Sequence, residues 1–375
     1  MTTILIKDAL RQSVEAASGG LQTVLYTAKG QPSFMNIIEK FDLSVIDPTL
    51  SGTHPAFIIN GVEVSRILVG TYTASLINGE LLSLPNRQPS TPSLAAAVTA
   101  ARAGGDGFHV MTNAEWSAVQ MQCYALGFNP KGNNYNYYGR DVTDSTQYGR
   151  RVDGVSAAAG IATGTPTIYT GSGPVSFRHN NAYNGISDVN GNVNLLTPDV
   201  RLCGATGELH IFINNNAAMR SADLSATSAG WKAINAVTGE LMDLSYTGTP
   251  GVDFVSNLAN SVKILNVSAV GNNYTLTATD GAAFSSMANA GAIPVSATAL
   301  AVLKKYGLYP LVADAAKLGS DKIVISATPA AAATERMLRR QGTYSDGPSA
   351  GVWMAAFNGV RAASGVSGFR VAYYA

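Results

Sequence analysis

Hydrophobic and polar residues alternate between about residues 49 and 88 in the pattern of β-strands. The segments AFIINGVEV, SRILVGTYTASLI and NGELLSL place every second side chain on the same face of a strand. The Asn-Gly pairs at 60–61 and 78–79 are typical of hairpin turns. Further strands are predicted at residues 4–6, 208–215, 262–270, 322–327, 351–357 and 368–375.

Three other stretches have the periodicity of helices. The first opens at Ser93 and runs through LAAAVTAAR. The second begins at Thr112, which has capping-box spacing with Glu115, and ends at Gly127. The third is SATALAVLKKYG, from residue 296. Strands with a few helices predict an α+β class.

Residues 1–48 form a small unit in the sequence, with a short strand, an amphipathic stretch and an end at Pro48. A chain of fewer than about fifty residues rarely buries enough surface to fold alone. We therefore interpret 1–48 as a separate attachment or oligomerisation module.

Composition narrows the classes of partner. The chain has 375 residues, of which 46% are hydrophobic and only 13% charged, and its net charge is +1. No long-range field would steer it to nucleic acid or to an acidic membrane. Its surface must be rich in small polar residues and Tyr, which suits an adhesive, paratope-like surface. No segment is long and apolar enough for a membrane span, and the start, MTTILIKDALRQSVEAA, lacks the features of a signal peptide. We therefore expect synthesis in a cytoplasm and no membrane insertion.

A catalytic or metal-binding set is not evident in the sequence. The four histidines have no helical metal-site spacing, and there is neither a G-x-S-x-G elbow nor a phosphate loop. Cys123 and Cys203 are the only cysteines, and we interpret them as buried small side chains. We expect no enzyme activity, cofactor or metal.

Residues 128–200 are turn-rich and predict long structured loops, which are commonly functional. Arg140, Arg150 and Arg151 form a small basic group here, flanked by four tyrosines. That group could stack on sugars or bases. Alternatively, the loop is solvated and its tyrosines pack on the domain edge. The tyrosines are Tyr135, Tyr137, Tyr138 and Tyr148.

Four segments in order carry a family resemblance. The chain resembles the C-type lectin fold in the version shared by formylglycine-generating enzymes and the variable proteins of diversity-generating retroelements. The resemblance implies a C-type lectin-like domain over 49–375, with an insert at about 245–330 and a terminal binding segment at about 336–375. The segments are GFHVMTNAEWSAVQ (107–120), GSGPVSFRHN (172–180), GISDVNGNVNLL (185–196) and RMLRRQGTYSDGPSAGVWMAAFNGVRAASGVSGFRVAYY (336–374).

The chain also departs from this family. The family's GNVWEW reads GNVNLL at 191–196, and the sugar-binding triplets of calcium-dependent lectins are missing. No cysteine follows Cys203, whereas the formylglycine-generating enzymes have a redox-active cysteine pair near the C-terminus. The resemblance therefore implies the fold for this chain. It implies neither the sugar binding of calcium-dependent lectins nor the oxidase activity of the formylglycine-generating enzymes.

With those two activities excluded, the resemblance that remains is to the ligand-binding proteins of the family. In its retroelement-diversified members the varied positions derive from Asn codons with mutated adenines, which cannot encode Trp or Met. Trp353 and Met354 are therefore framework or fixed parts of the surface. A Gly- and Ala-rich surface loop without a binding role stays open as the alternative. The resemblance implies that these residues bind the ligand: Tyr344, Ser345, Asp346, Ser349, Trp353, Ala356, Asn358, Val360, Arg361 and Ser364.

The function implied is receptor binding, at the tip of a bacteriophage tail fibre in a virion assembled in the host cytoplasm. The partners would be a host surface receptor, protein or glycan, and a tail-fibre or other virion protein held by residues 1–48. A homotrimer is common among similar proteins. Two alternatives remain: a structural fibre or baseplate component that binds only neighbouring subunits, and an oxidase of the formylglycine-generating type, which the missing cysteine pair argues against.

Overall fold

The computed structural model of this chain describes residues 8–249, 253–265, 274–291, 293–325 and 335–375. Its elements are mainly short strands with a few helices, and most strand pairs are antiparallel. The α+β class expected from the sequence is therefore confirmed. The strand expected at 4–6 lies outside the described residues.

The α-helices begin where the capping residues indicate. The Thr112 side chain accepts a hydrogen bond from the Glu115 N–H, and the Glu115 carboxylate accepts one from the Thr112 N–H, which confirms the capping box. Ser93 and Ser296 cap two further helices, as predicted. The helices are α1 (Ala9–Ser18), α2 (Leu94–Arg102), α3 (Asn113–Leu126), α4 (Ala297–Lys305) and the short α5 (Ala315–Leu318).

The strands include those expected around both Asn-Gly turns, where the Asn and Gly residues all have positive φ. Parts of the strands predicted at 262–270 and 322–327 lie outside the described residues. The strands are β1 (Gln22–Tyr26), β2 (Pro32–Glu39), β3 (Ile58–Ile59), β4 (Val62–Glu63), β5 (Arg66–Gly70), β6 (Ser75–Ile77), β7 (Glu80–Leu82), β8 (Phe108–Val110), β9 (Leu195–Cys203), β10 (Leu209–Ile211), β11 (Lys232–Ile234), β12 (Leu241–Asp243), β13 (Tyr246–Thr247), β14 (Val255–Ser256), β15 (Lys263–Leu265), β16 (Thr275–Thr277), β17 (Ile323–Ile325), β18 (Glu335–Gln341), β19 (Gly351–Gly359) and β20 (Val371–Tyr373).

A five-stranded sheet joins the two ends of the chain, in the order β1-β2-β5-β20-β8. Strand β2 pairs with β5 over five residues, and β20 pairs with both β5 and β8. The segment 22–39 is therefore the edge of this sheet, which corrects the expectation of a structurally separate module over 1–48. The attachment role proposed for that segment stays a prediction.

A seven-stranded sheet carries most of the terminal segment, in the order β12-β11-β10-β9-β18-β19-β17. Its pairs are antiparallel except β17 with β19, which are parallel. Strand β17 falls in the stretch interpreted as an insert at about 245–330, and α4 of that stretch buries Ala299 and Leu303 in the main core. The described part of the insert is thus built into the domain.

Two hydrophobic cores lie on the two faces of these sheets. One core packs α3 against one face of the seven-stranded sheet, through side chains such as Trp116, Val119 and Phe357. The other packs α2 against the opposite face, through residues such as Ala97, Leu196 and Met337. We call the face toward α3 the inner face and the opposite one the outer face.

Removing residues 1–48 should destabilise the rest of the chain, because it exposes β5 and removes the buried side chains of Val24, Met35 and Ile38. Each fully buried side chain of this kind contributes roughly 1.5–3 kcal/mol, so we expect a loss of about 5 kcal/mol in the free energy of unfolding. Urea denaturation followed by circular dichroism measures it.

Removal of residues 1–20 alone is the matched control. Within α1 only Ser18 is buried, so this shorter truncation should cost about 1 kcal/mol. If residues 49–375 unfolded at the same urea concentration as the whole chain, the sheet pairing of β2 with β5 would contribute nothing to stability.

Candidate functional site

In the terminal segment, residues 336–375, the buried strand β19 lies between two partly exposed connections. Strand β19 lies between β18 and β17, inside the seven-stranded sheet. A turn at 342–350, the end turn, precedes β19, and a loop at 360–367, the end loop, follows it. A strand rises about 3.3 Å per residue, so the end turn and the end loop lie on the order of 25 Å apart.

Helix α3 fixes the start of β19 from the inner side. Trp116 Nε1 and Gln120 Nε2 both donate to the Val352 carbonyl, at 3.0 and 2.8 Å. The buried Asp321 carboxylate accepts a hydrogen bond from the Trp353 N–H at 2.7 Å. Backbone groups that are bonded in this way cannot shift without leaving a buried polar group unpaired.

Three residues predicted to bind the ligand are buried, and for them the prediction is wrong. Ser349, Trp353 and Ala356 retain only 6%, 1% and 1% of their surface exposed. Trp353 points to the inner face, where its ring stacks on Phe284 and meets Tyr124 edge-on. Its interpretation as framework agrees with this position.

The end turn exposes the first group of predicted contacts. Ser345 is exposed, and Tyr344 and Asp346 are partly exposed. The Asp346 carboxylate accepts hydrogen bonds from the Thr343 N–H and hydroxyl, at 2.6 and 2.8 Å, which closes the turn. The ring of Tyr344 lies 5.2 Å from that of Tyr137. Tyr344 and Ser345 are therefore available on a turn with a fixed backbone.

The tyrosine-rich loop beside the end turn is held rigidly. Tyr137 is 41% exposed and has a φ of 74°, a left-handed conformation that is uncommon for a bulky residue. Tyr135 and Tyr138 stack at 4.8 Å, and the Arg140 guanidinium lies over both rings. These two tyrosines thus pack with Arg140 within the loop itself.

The three arginines predicted as one basic group have different surroundings. Arg151 is buried and pairs with Asp153 through Nε and Nη2, at 3.1 and 2.6 Å. Arg150 lies over the ring of Tyr169, 4.7 Å from its centroid. With Arg140 engaged by its own tyrosines, they do not form a common basic surface. This favours the alternative in which the tyrosines pack on the domain edge.

The end loop exposes a second group. Val360 is 46% exposed and Ser364 is also exposed, whereas Arg361 is partly buried. Arg361 Nε and Nη2 donate to both oxygens of Glu335, at 2.7 and 2.6 Å, and Glu335 also pairs with Arg201 at 2.7 Å. A groove of about 450 Å³ lies between α2 and residues 222–226, with Arg361 in its wall. Arg361 therefore anchors the end loop more than it displays a free charge.

Along β19 the predicted contacts follow the alternation of a strand. Trp353, Ala355 and Phe357 belong to the inner core, so Met354, Ala356 and Asn358 face outward. We call these three the outer row. Asn358 is its partly exposed member, and Arg339 of β18 approaches it with Nη1 3.5 Å from Asn358 Oδ1.

Arg339 was missed in the sequence analysis, which singled out no residue before the end turn. A signal was present, because two consecutive arginines in a strand must point to opposite faces. Arg340 points inward and donates to Asn113 Oδ1, at 2.9 and 2.7 Å. Arg339 therefore faces outward, beside the outer row.

The four histidines are all buried and hydrogen-bonded. His109 pairs with Glu115 at 2.8 Å, and His210 pairs with Glu208 at 2.9 Å. His54 Nδ1 accepts a hydrogen bond from the Ala56 N–H, and its Nε2 lies 3.2 Å from the Ser117 hydroxyl of α3. His179 Nδ1 accepts from the Ile186 N–H.

Comparison with known proteins gave no family for this chain: no protein-family model and no curated protein matches it. None of the helices in the described part of the chain has the length and apolar character that a membrane crossing requires. Among the described residues, no three His, Cys, Asp or Glu side chains are grouped in a way that could hold a metal ion.

Replacing Arg361 with Ala should destabilise the fold, because the buried carboxylate of Glu335 loses one of its two arginine partners. We expect a loss of about 2 kcal/mol in the free energy of unfolding, less than for a carboxylate left with no partner. Arg66→Ala is the control, since Arg66 has a long, exposed ion pair with Glu39 and should cost under about 0.5 kcal/mol. Equal urea midpoints for the two variants would show that Arg361 is not an anchor.

His54 should make the fold sensitive to acid. Burial lowers the pKa of His54 to about 3, so below about pH 6.5 the unfolded chain binds a proton that the folded chain does not. Stability from this group is then lost at about 1.4 kcal/mol per pH unit as the pH falls. His54→Asn should be less stable than the wild type, and this difference in the free energy of unfolding should therefore shrink as the pH falls from 6 to 4.

The measurement is urea denaturation of both proteins at several pH values. His54→Phe serves as the control, because it lacks the same titration and must give the same pH slope as His54→Asn. Wild-type and variant stabilities that ran parallel with pH would contradict the assignment.

Proposed function

We propose that this protein is a non-enzymatic receptor-binding protein that contacts its target through the exposed parts of the terminal segment. The candidate contacts are narrowed to two groups and one strand position. They are Tyr344, Ser345 and Asp346 of the end turn, Val360, Arg361 and Ser364 of the end loop, and Asn358 of the outer row.

The observation that carries this proposal is the contrast between a fixed backbone and exposed side-chain tips. Both ends of β19 are held by buried hydrogen bonds, from α3 to Val352 and from Arg361 to Glu335. The residues displayed beyond those anchors are mostly short polar or aromatic side chains, with exposed Val360 and Val366 as apolar ones. A surface of this kind loses little conformational entropy when it binds and tolerates changes at its tips.

The C-type lectin-like fold is part of the proposal. Two helices, α2 and α3, flank mostly antiparallel sheets, and residues 128–194 contain only short 3-10 turns between α3 and β9. These features support the resemblance carried by the four sequence segments. Diversification of the terminal segment by a retroelement belongs to the same resemblance.

We further propose that the protein acts in a bacteriophage tail fibre as a homotrimer, attached to the virion through its N-terminal residues. Helix α1 supports the attachment, because Ser18 is its only buried residue and Leu10 remains 41% exposed. A helix with so little contact to its own domain has surface free for a neighbouring virion protein. Several weak sites on one particle would then act together.

The test is binding of the fluorescently labelled protein to cells of the bacterium that the phage infects. A triple variant, Tyr344→Ala, Val360→Ala and Ser364→Ala, removes exposed tips from both ends of β19 and leaves the anchors intact. We expect at least about a tenfold loss of affinity, as for central contact residues of an interface.

The matched control is the triple variant Val45→Ala, Ser156→Ala and Tyr183→Ala, which removes the same three side-chain types from exposed positions elsewhere. It should bind as the wild type does. Undiminished binding by the terminal-segment variant would overturn the proposal. Wild-type protein that enters particles but binds no cells would favour the structural-component alternative.

A further inference from the structure

Arg339 differs from the other deeply buried arginines of the described chain in having almost no partner. It retains 8% of its surface exposed. Its one hydrogen bond, from Nη1 to Asn358 Oδ1, is long at 3.5 Å. Its buried Nε has no partner in the structure.

No carboxylate compensates this cation. Among the described residues Arg339 has no ion pair, although Arg151, Arg201 and Arg361 each have one. The residues outside the described ranges contain no Asp or Glu. Burial lowers the pKa of Arg339, which is the effect of desolvation without an opposing charge. A buried cation without a partner is costly, so a group that supplies a negative charge would be bound favourably.

Neither Nε nor Nη2 of Arg339 has a partner, and because Nε is buried, Nη2 is the atom of this pair that a ligand can reach. Two other arginines of this chain hold a carboxylate through Nη2 together with Nε. Arg361 binds Glu335 through Nε and Nη2, and Arg151 binds Asp153 in the same way. A carboxylate oxygen at Arg339 Nη2 would accept a charge-assisted hydrogen bond, which is stronger than one between neutral groups.

We propose that Arg339, oriented by Asn358, binds a carboxylate of the receptor on the outer face of β18 and β19, and that the carboxylate is a Glu or Asp side chain of a protein. The site rests on the proposed function for its biological ligand. It deepens that function by naming the chemistry that the terminal segment recognises.

The depth of the site favours a protein over a polysaccharide. With 8% of its surface exposed, Arg339 is recessed between its neighbours, and Ala356 lies directly opposite it on β19. A Glu side chain places its carboxylate several bonds from the main chain and can reach a recessed group. A uronate carboxylate is attached directly to a bulky ring. Exposed Val360 and Val366 of the end loop add apolar contacts that suit a protein surface.

The experiment follows the Arg339 Nε–H signal by NMR in protein labelled with ¹⁵N-arginine. The signal is assigned by its loss in Arg339→Met. The probe is N-acetylglutamate N-methylamide, with the glutamine analogue as the neutral control. We expect a saturable shift with the glutamate probe alone. Arg339→Lys, observed through neighbouring backbone signals, should bind it about tenfold more weakly because the shorter, unbranched ammonium has no group at the position of Nη2.

A second readout separates binding from folding. If Arg339 only supports the fold, Arg339→Met should melt below the wild type. If it serves a ligand, Arg339→Met should melt at or above the wild-type temperature, because an unpaired buried charge is removed. Arg87→Met, at an exposed position, is the matched control and should leave both the probe shift and the melting temperature unchanged.

Several outcomes would overturn the inference. They are a glutamate probe that leaves the Arg339 signal unmoved, a glucuronate probe that shifts it when glutamate does not, and an Arg339→Met variant that melts lower. The NMR assay needs no receptor, so its failure is distinct from a failure of the proposed function, which appears as wild-type protein that binds no cells.

Discussion

The position of the terminal segment depends on one buried cation, the guanidinium of Arg340. It donates to Asn113 Oδ1 at the first residue of α3 and to the Gly307 carbonyl after α4. Asn113 in turn donates through its N–H to Asp199 of β9 and through its side chain to the Tyr306 carbonyl. Burial lowers the pKa of Arg340 only to about 9, so it remains charged at neutral pH. Because removing any one member would leave a buried polar group unpaired, β9, β18 and both helices are held in a single arrangement.

That arrangement explains why only separate parts of the terminal segment are exposed. Once α3 is fixed, Trp116 and Gln120 hold Val352, and β19 must continue through the middle of the sheet with its alternate residues buried. Between residues 342 and 367, only the end turn, the end loop and Asn358 of the outer row can then meet another molecule. The codon argument from the family resemblance selects residue types, but it contains no information on which of them face inward. Ser349 and Ala356 were included for that reason, and Trp353 as a fixed part of the surface. The burial of Trp353 and Ala356 follows from the sheet position of β19.

Local features of the sequence predicted local structure well. The Thr112–Glu115 capping box and the two Asn-Gly hairpins act over a few residues, so their outcome depends little on the rest of the chain. The separate module over 1–48 failed because its strands complete a sheet with residues far along the chain. Strand β2 pairs with β5, and β5 pairs with β20 near the C-terminus. The pattern of hydrophobic residues within 1–48 gives no information on which distant strand pairs with β2.

The two adjacent arginines of β18 show what strand alternation in a sequence can predict and what it cannot. Alternation in a strand sends Arg339 and Arg340 to opposite faces, and this much follows from the sequence. Which of them finds partners depends on what each face meets: α3 and the end of α4 on the inner side, and the outer row on the other. A polar network inside the domain satisfies Arg340, whereas the outer row offers Arg339 one distant amide oxygen. The same strand therefore uses the guanidinium of Arg340 to fix the fold and leaves Nη2 of Arg339 without a partner beside the residues proposed to meet the receptor.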